Sequence, residues 1–306
     1  MAKKISIIIP NFNGKTLLSK NLPIVIKNCP DCEIIVVDDA SSDDSVKYVT
    51  KNFPQVKIFT NEQNLGFAKT ANRGVEESKG ELVALINSDV APRKNSVTSV
   101  SSYFDDQSVF AVGLCDLSHD KGKIIKRGRG GAVFKRGFVL HFAITIEKGE
   151  TLWVSGGSGV FDRQKFLELG GFDSIYSPFY WEDIDLSFRA AKRGFKCLFE
   201  PKAQVDHFHE MGAIKKSKSP FFIKIISYRN QFLFVWKNID NYFLLIQHIF
   251  WLPYHLTKAA FSLDFAFHIG FLWAVAKSWR LVFNSQVDNP KNEFSEIELF
   301  KRFSEK

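Results

Sequence analysis

The run Leu82–Ile86, LVALI, breaking into Asn87-Ser88-Asp89, constrains this chain more than any other stretch. With no polar alternation, it reads as a strand buried on both faces, the kind found in parallel sheets covered by helices. Ile5–Pro10, Glu33–Asp38 and Val56–Thr60 read as three more strands, separated by segments with helical spacing, such as Leu17, Leu18, Leu22, Val25 and Ile26. Strands and helices alternating through short turns give right-handed βαβ units. The expected fold is α/β, a doubly wound, mostly parallel sheet with flanking helices. The strand ends then share one rim: Asn11 and Asn13, Asp38 and Asp39, Asn64, and Asn87 with Asp89. Open α/β sheets bind ligands at that rim. A hard oxygen donor such as Asp89 suits Mg²⁺ or Mn²⁺, which would hold a diphosphate. A plain Asn-Ser-Asp turn is the bland alternative.

At 306 residues and 45% hydrophobic, the chain supports one large core or one and a half domains. Met1-Ala2-Lys3-Lys4 leads straight into a short apolar strand, which is not a secretory pattern and points to a cytoplasmic catalytic part. Cys29 and Cys32 are the only close pair of four cysteines, and free thiols are expected.

Further along, Ser96–Asp105 reads as a helix and Val109–Leu114 as a return to the sheet. The span 118–150 lacks a steady period and reads as a solvated loop or hairpin. Trp153 and the glycines of SGGSG, Gly156 and Gly157, lead to another strand, where glycine lets backbone approach a ligand closely. In FYWEDIDLSFRAAKRGF, Glu182, Asp183 and Asp185 stand at the positive end of a helix. Aromatic surface from Tyr180 and Trp181 would desolvate these carboxylates and raise them toward the range of a base working near neutral pH.

The ordered set IIIPNFNG, VVDDASSDDS, NLGFAKTANRG and LINSDVAP resembles the family 2 glycosyltransferases of GT-A fold, over about the first 210 residues. Rhamnosyltransferase-like members are the nearest in pattern. The resemblance implies an inverting transferase that moves a sugar from a nucleotide-diphosphate sugar to a hydroxyl of a glycan or lipid-linked acceptor. It assigns Asp39, with Asp38, to the nucleotide base, and Pro10, Asn11, Asn13, Gly66 and Ser88 to the donor site. Lys69 and Asn72 are candidates for the base or the diphosphate. Asn87-Ser88-Asp89 matches the Asp-x-Asp metal motif, departing at its first position. Asp89 would carry Mn²⁺ or Mg²⁺ and Asn87 the ribose or a water. His207 resembles the second metal ligand, ahead of His209. Asp183 matches the base, with Glu182 on acceptor hydroxyls and Trp153, Gly156, Gly157 and Trp181 on the acceptor side.

After residue 214 the composition shifts, so residues 1–214 read as the catalytic domain and 215–306 as a helical C-terminal region. Between Pro220 and Phe283 lie eleven Phe and four of the six Trp. Nine cations against two aspartates between Lys215 and Val282 supply seven of the +8 net charge. No apolar stretch reaches the ~20 residues of a spanning helix. Amphipathic aromatic helices with basic flanks point to peripheral contact with an anionic membrane through residues 215–283, at its cytoplasmic face. Packing on the catalytic domain or in a homodimer is the alternative, and no nucleic-acid-binding motif accompanies the charge. Two rival functions carry their own discriminators. A sugar-nucleotide pyrophosphorylase would need a Gly-rich basic phosphate loop where Pro10-Asn11-Phe12-Asn13-Gly14 stands. A non-catalytic glycan-binding or scaffold protein would turn over no donor.

Overall fold

The computed structural model describes residues 3–120, 122–208, 218–284 and 292–304. In chain order, β1 (Ile5–Asn11), α1 (Lys15–Asn28), β2 (Glu33–Asp38), α2 (Ser45–Asn52), β3 (Lys57–Thr60), α3 (Phe67–Glu77) and β4 (Leu82–Ile86) form the alternating first half. All pairings among these four strands are parallel, in the order β3-β2-β1-β4. The short β5 (Val90–Pro92) follows, then a 3₁₀ helix over Thr98–Asp105 where an α-helix over 96–105 was expected.

The second half is mixed. It contains β6 (Val109–Asp120), β7 (Lys123–Arg127), the hairpin β8 (Gly130–Lys135) and β9 (Phe138–Ala143), β10 (Gly149–Glu150), β11 (Ser158–Asp162), α4 (Arg163–Glu168), α5 (Glu182–Lys192) and β12 (Lys196–His207). β11 slots antiparallel between β4 and β6, and β12 runs parallel to β6. The aperiodic span 118–150 is thus largely two antiparallel ribbons, β6–β7 and β8–β9.

Both faces of the sheet are covered. Ile5, Ile7 and Ile9 point into a core shared with Leu18 and Leu22 of α1, Val49 of α2 and Phe104 of the 3₁₀ helix. Ile8 faces the other way, toward Ala68, Ala71 and Val75 of α3 and Leu186 of α5. This period-2 alternation within an unbroken apolar run is what two buried faces require. Each such aliphatic side chain contributes about 1.5–3 kcal/mol on burial. α3 packs so closely on β1 that a Cβ at Gly74 would lie 2.2 Å from Ile8 Cγ2.

Among the described residues four C-terminal helices follow: α6 (Pro220–Asn238), α7 (Tyr242–Phe261), α8 (Phe265–Asn284) and α9 (Glu296–Arg302). They form a third core with the β8–β9 hairpin and α5, in which Phe232, Leu233, Phe234, Phe267 and Phe300 meet Trp181 and Phe188. Among the described residues, no helix is long and apolar enough to cross a membrane. All four cysteines are free thiols.

Candidate active site

The rim begins with two aspartates that are fully engaged. Asp38 Oδ2 accepts from Asn11 Nδ2 at 2.7 Å and from Ser41 Oγ at 2.6 Å, and Oδ1 accepts from the Ser41 N–H at 2.8 Å. Asp39 shapes the turn before α3. Its Oδ1 accepts from Leu65 N and Asn61 Nδ2, both at 2.8 Å, and its Oδ2 accepts from Gly66 N at 2.9 Å. Gly66 sits at φ +82°, which glycine reaches without steric cost. Asn13, also left-handed at φ +50°, uses its Oδ1 to accept from the Ser42 N–H at 2.8 Å. Asn11 keeps one atom unspent: its Oδ1 is buried without a partner. A Cβ at Gly14 would stand 2.2 Å from that oxygen and 3.6 Å from Ser88 Oγ. The end of β1 therefore lies against the end of β4, beside an orphaned acceptor oxygen of the kind a ligand or water satisfies.

Asp89 and His207 meet. β5 pairs with β12 so that Val90 faces His207, and His207 Nε2 lies 3.5 Å from Asp89 Oδ1. On the far side of the ring, Nδ1 bonds Asp116 Oδ2, and Asp116 Oδ1 accepts from Ser118 Oγ at 2.8 Å. Burial disfavours charge on His207, but the bonds to Asp116 and Asp89 outweigh it and push its pKa up to about 9. A carboxylate that grips one nitrogen and aims the other is the usual support of a metal-ligating imidazole. One carboxylate oxygen and one imidazole nitrogen fit a divalent cation, since two adjacent ligands each about 2.1 Å from one ion lie roughly 3 Å apart. No cluster of three such side chains exists among the described residues, so the remaining coordination would fall to donor oxygens and water. His209 lies outside the described residues.

The carboxylate pair is tied to this rim through the 156–157 backbone. Asn87 N donates to Gly157 O at 3.0 Å, and one residue back Gly156 N donates to Asp183 Oδ2 at 3.3 Å. This chain of bonds joins the β4 rim to the first turn of α5. A Cβ at Gly157 would come within 2.3 Å of Asn87 Nδ2, so a side chain there would displace the Asn87 amide. Burial and repulsion from Asp183 push Glu182 up to about 8. Burial also raises Asp183, while the N–H groups of Gly156 and Ile184 restrain the shift. The third acid, Asp185, is structural. Burial alone would raise it, but Arg189, Lys237 and Asn238 hold it well below the usual carboxylate range.

α5 is entered through two consecutive left-handed aromatics, Tyr180 at φ +71° and Trp181 at φ +78°. Bulky residues rarely adopt this conformation, and it persists where the surroundings enforce it. The enforcement comes from α6. Asn230 Nδ2 donates to the carbonyls of Tyr176, Phe179 and Tyr180 at 2.9, 3.0 and 2.8 Å. Arg229, 1% exposed, donates to the carbonyls of Tyr176 and Ser177 at 3.2 and 2.6 Å. It has no carboxylate partner among the described residues, and burial pushes its pKa down to about 10. Its guanidinium stacks 4.7 Å over Trp273 of α8, and Lys277 donates to the carbonyl of Ile175 at 2.6 Å. Three cations read from sequence as surface charge (Arg229, Lys237 and Lys277) are thus turned inward. His141 of β9, which sequence reading missed, lies edge-on to Trp153 at 5.5 Å and to Trp181 at 5.4 Å.

Two sequence candidates sit apart from this cluster. Lys69 is exposed on α3. Asn72 spends its amide on the backbone of Phe172, donating to O and accepting from N, both at 2.9 Å. Pro10 is half-buried at the end of β1.

A parallel half-sheet with an Asp–His rim, facing a desolvated carboxylate pair on a strained helix start, has the layout of the GT-A glycosyltransferase fold. The family model "Glycosyl transferase family 2" matches residues 6–169, and the chain belongs to that family. It is 24% identical over 220 residues to the pre-mycofactocin glycosyltransferase of Mycobacterium tuberculosis H37Rv, covering 68% of this chain and 43% of that one. It is 29% identical over 137 residues to the GalNAc(5)-diNAcBac-PP-undecaprenol beta-1,3-glucosyltransferase of Campylobacter jejuni, covering 43% and 44%. The chain thus spans less than half the length of these two relatives. Among solved structures, GalNAc-T7 with UDP, GalNAc and Mn²⁺ superposes with a TM-score of 0.65 at 20% identity, over 79% of this chain and 49% of that one. The Pyrobaculum calidifontis mannosyltransferase PcManGT with GDP-Man and Mn²⁺ gives 0.55 at 15%, over 94% and 89%. These confirm the fold.

Proposed function

We propose that this chain transfers a sugar, with inversion, from a nucleotide-diphosphate sugar to a hydroxyl of a glycan or lipid-linked acceptor. The bonded path Asn87–Gly157 and Gly156–Asp183 carries the reading, because it sets a candidate base one loop away from the candidate metal rim. Solved neighbours hold UDP, UDP-GlcNAc or GDP-Man, which supports a nucleotide sugar as donor. Asp89 and His207 would hold Mn²⁺ or Mg²⁺, which supplies positive charge to the departing diphosphate.

Glu182 and Asp183 divide the acceptor chemistry. Burial and repulsion from Asp183 favour the protonated form of Glu182. Asp183 is the better placed of the two to carry charge, because its oxygens already accept two backbone N–H groups. Asp183 takes the proton of the attacking hydroxyl, and Glu182 hydrogen-bonds the acceptor. Trp153, His141 and Trp181 wall the acceptor side. A single displacement from the far face of C1 needs no enzyme nucleophile, and so inverts. The exposed apolar edge of α7 and α8 supports peripheral contact with the cytoplasmic face of a membrane, which suits a lipid-linked acceptor.

The test is release of nucleoside diphosphate from a panel of nucleotide sugars with Mn²⁺, with and without EDTA. Turnover that EDTA abolishes and Mn²⁺ or Mg²⁺ restores supports the reading. Turnover indifferent to chelator overturns the metal site, and no turnover of any donor favours a non-catalytic glycan-binding protein.

A further inference from the structure

A cavity of about 350 Å³, lined by none of the candidate catalytic residues, lies between the tip of the β8–β9 hairpin and helices α6 and α7. Three cations reach it: Lys135 and Arg136 from the hairpin and Lys258 from α7. Among the described residues none of them has a carboxylate partner. The acid in the lining, Asp264, is spent on Lys224 and on the Tyr228 hydroxyl, both at 2.8 Å.

The hairpin tip is built at a conformational cost. Arg136 and Gly137 have φ of +50° and +80°, a two-residue turn whose first position usually takes Asn, Asp or Gly. An arginine there signals a use for its side chain. The guanidinium lies 5.5 Å over Trp251 and 5.7 Å over Tyr254, and the Arg136 carbonyl lies 2.8 Å from His255 Nε2. The turn is thereby pinned to α7 with its cations facing the cavity.

Next to this cavity the protein is apolar and uncovered. The α7–α8 turn exposes Phe261 at 91%, Leu263 at 70% and Phe265 at 61%, and α7 exposes Ile249 and Phe250 at 70% and 74%. Neither helix contains an Asp or Glu. An apolar edge beside unpaired cations, with Trp and Tyr between, matches an anionic bilayer surface, whose headgroups are negative and whose interior is apolar.

We propose that the Lys135–Arg136–Lys258 cavity binds the phosphate of an anionic lipid headgroup, while Phe261, Leu263 and Phe265 seat among the acyl chains. This rests on the membrane contact proposed above and gives it a site. The test is sedimentation of the full chain with phosphatidylcholine vesicles, with and without phosphatidylglycerol. Wild type is expected to bind only the anionic vesicles. The double variant Lys135→Ala/Lys258→Ala should bind about fivefold more weakly for each lysine removed, while Lys27→Ala/Lys51→Ala, on the far surface, binds as wild type. Inorganic phosphate should release wild type better than chloride at equal ionic strength. Equal weakening by both double variants, or equal release by the two salts, overturns the cavity but leaves the membrane contact standing. Wild type that ignores both vesicles overturns both, and a dimer in that case assigns the apolar edge to a second copy. Mn²⁺-dependent thermal shifts with nucleotide sugars, read in parallel, report the donor site independently and verify that each variant folds.

Discussion

The proposed donor half and the proposed acceptor half of the site are built in different ways. On the proposed donor side, Asp38, Asp39 and Asn13 are fixed within the strand-end loops themselves. Asp38 bonds Ser41, Asp39 bonds the Asn61–Gly66 turn, and Asn13 bonds Ser42. On the proposed acceptor side the start of α5 is held from fifty or more residues away, by Asn230 and Arg229 on the 176–180 carbonyls and by Lys237 on Asp173 and Asp185. A half made of local loops keeps its shape wherever the sheet folds. A half gripped by distant helices can lose its geometry while the other stays intact, so the two should fail separately.

The largest effect that tests this separation is at Asp183. Asp183→Asn should lower turnover on the order of 10²–10⁴-fold and leave donor affinity within about twofold, by isothermal titration with Mn²⁺. Donor affinity falling in step would merge the halves. Asp116→Ala is the converse. It leaves Asp89 and His207 in place but removes the acceptor that orients the His207 ring, so Mn²⁺ affinity should fall about 10–100-fold.

Arg229→Met comes next. It strips hydrogen bonds from buried carbonyls and should destabilise the fold by roughly 1–3 kcal/mol in urea unfolding. Lys69→Ala, on an exposed face, should change stability by less than about 0.5 kcal/mol.

A further effect is one of pH. Glu182 is raised to about 8 in the folded protein, from an ordinary value near 4.5. Between those values the folded state holds a proton that the unfolded state has released, so stability falls as pH rises through that window. Glu182→Gln removes the buried ionisation. Its melting temperature should exceed that of wild type at pH 8 and converge with it below pH 4.5. A constant offset at all pH values would contradict the burial of Glu182.

The donor half was legible in the sequence because its signals are local. Unbroken apolar runs ending in Asn or Asp marked both the strands and the rim that their ends share, and the Asp89–His207 meeting followed from motif resemblance. The acceptor half was legible only in its acids. Nothing near Tyr180 and Trp181 announces two left-handed residues, since neither is Gly or Asn. Arg229 read as one more surface cation among nine, because its burial depends on carbonyls of residues 176 and 177, contacts that no periodicity encodes. Asn72 read as a donor ligand because its helix follows Gly66, whereas its amide clamps Phe172. The β8–β9 hairpin lacked a period because its burial does not alternate: each strand begins buried and ends half-buried or exposed.

The central claim is that the C-terminal helices assemble the acceptor half of a shared crevice. Asn230→Ala tests it most directly, with donor affinity and single-turnover transfer measured on the same folded variant. The account expects donor binding within about twofold of wild type and transfer slowed at least tenfold, on the order of the 1–3 kcal/mol that an unsatisfied buried polar group costs. Transfer at the wild-type rate, or donor binding lost in proportion, would contradict it.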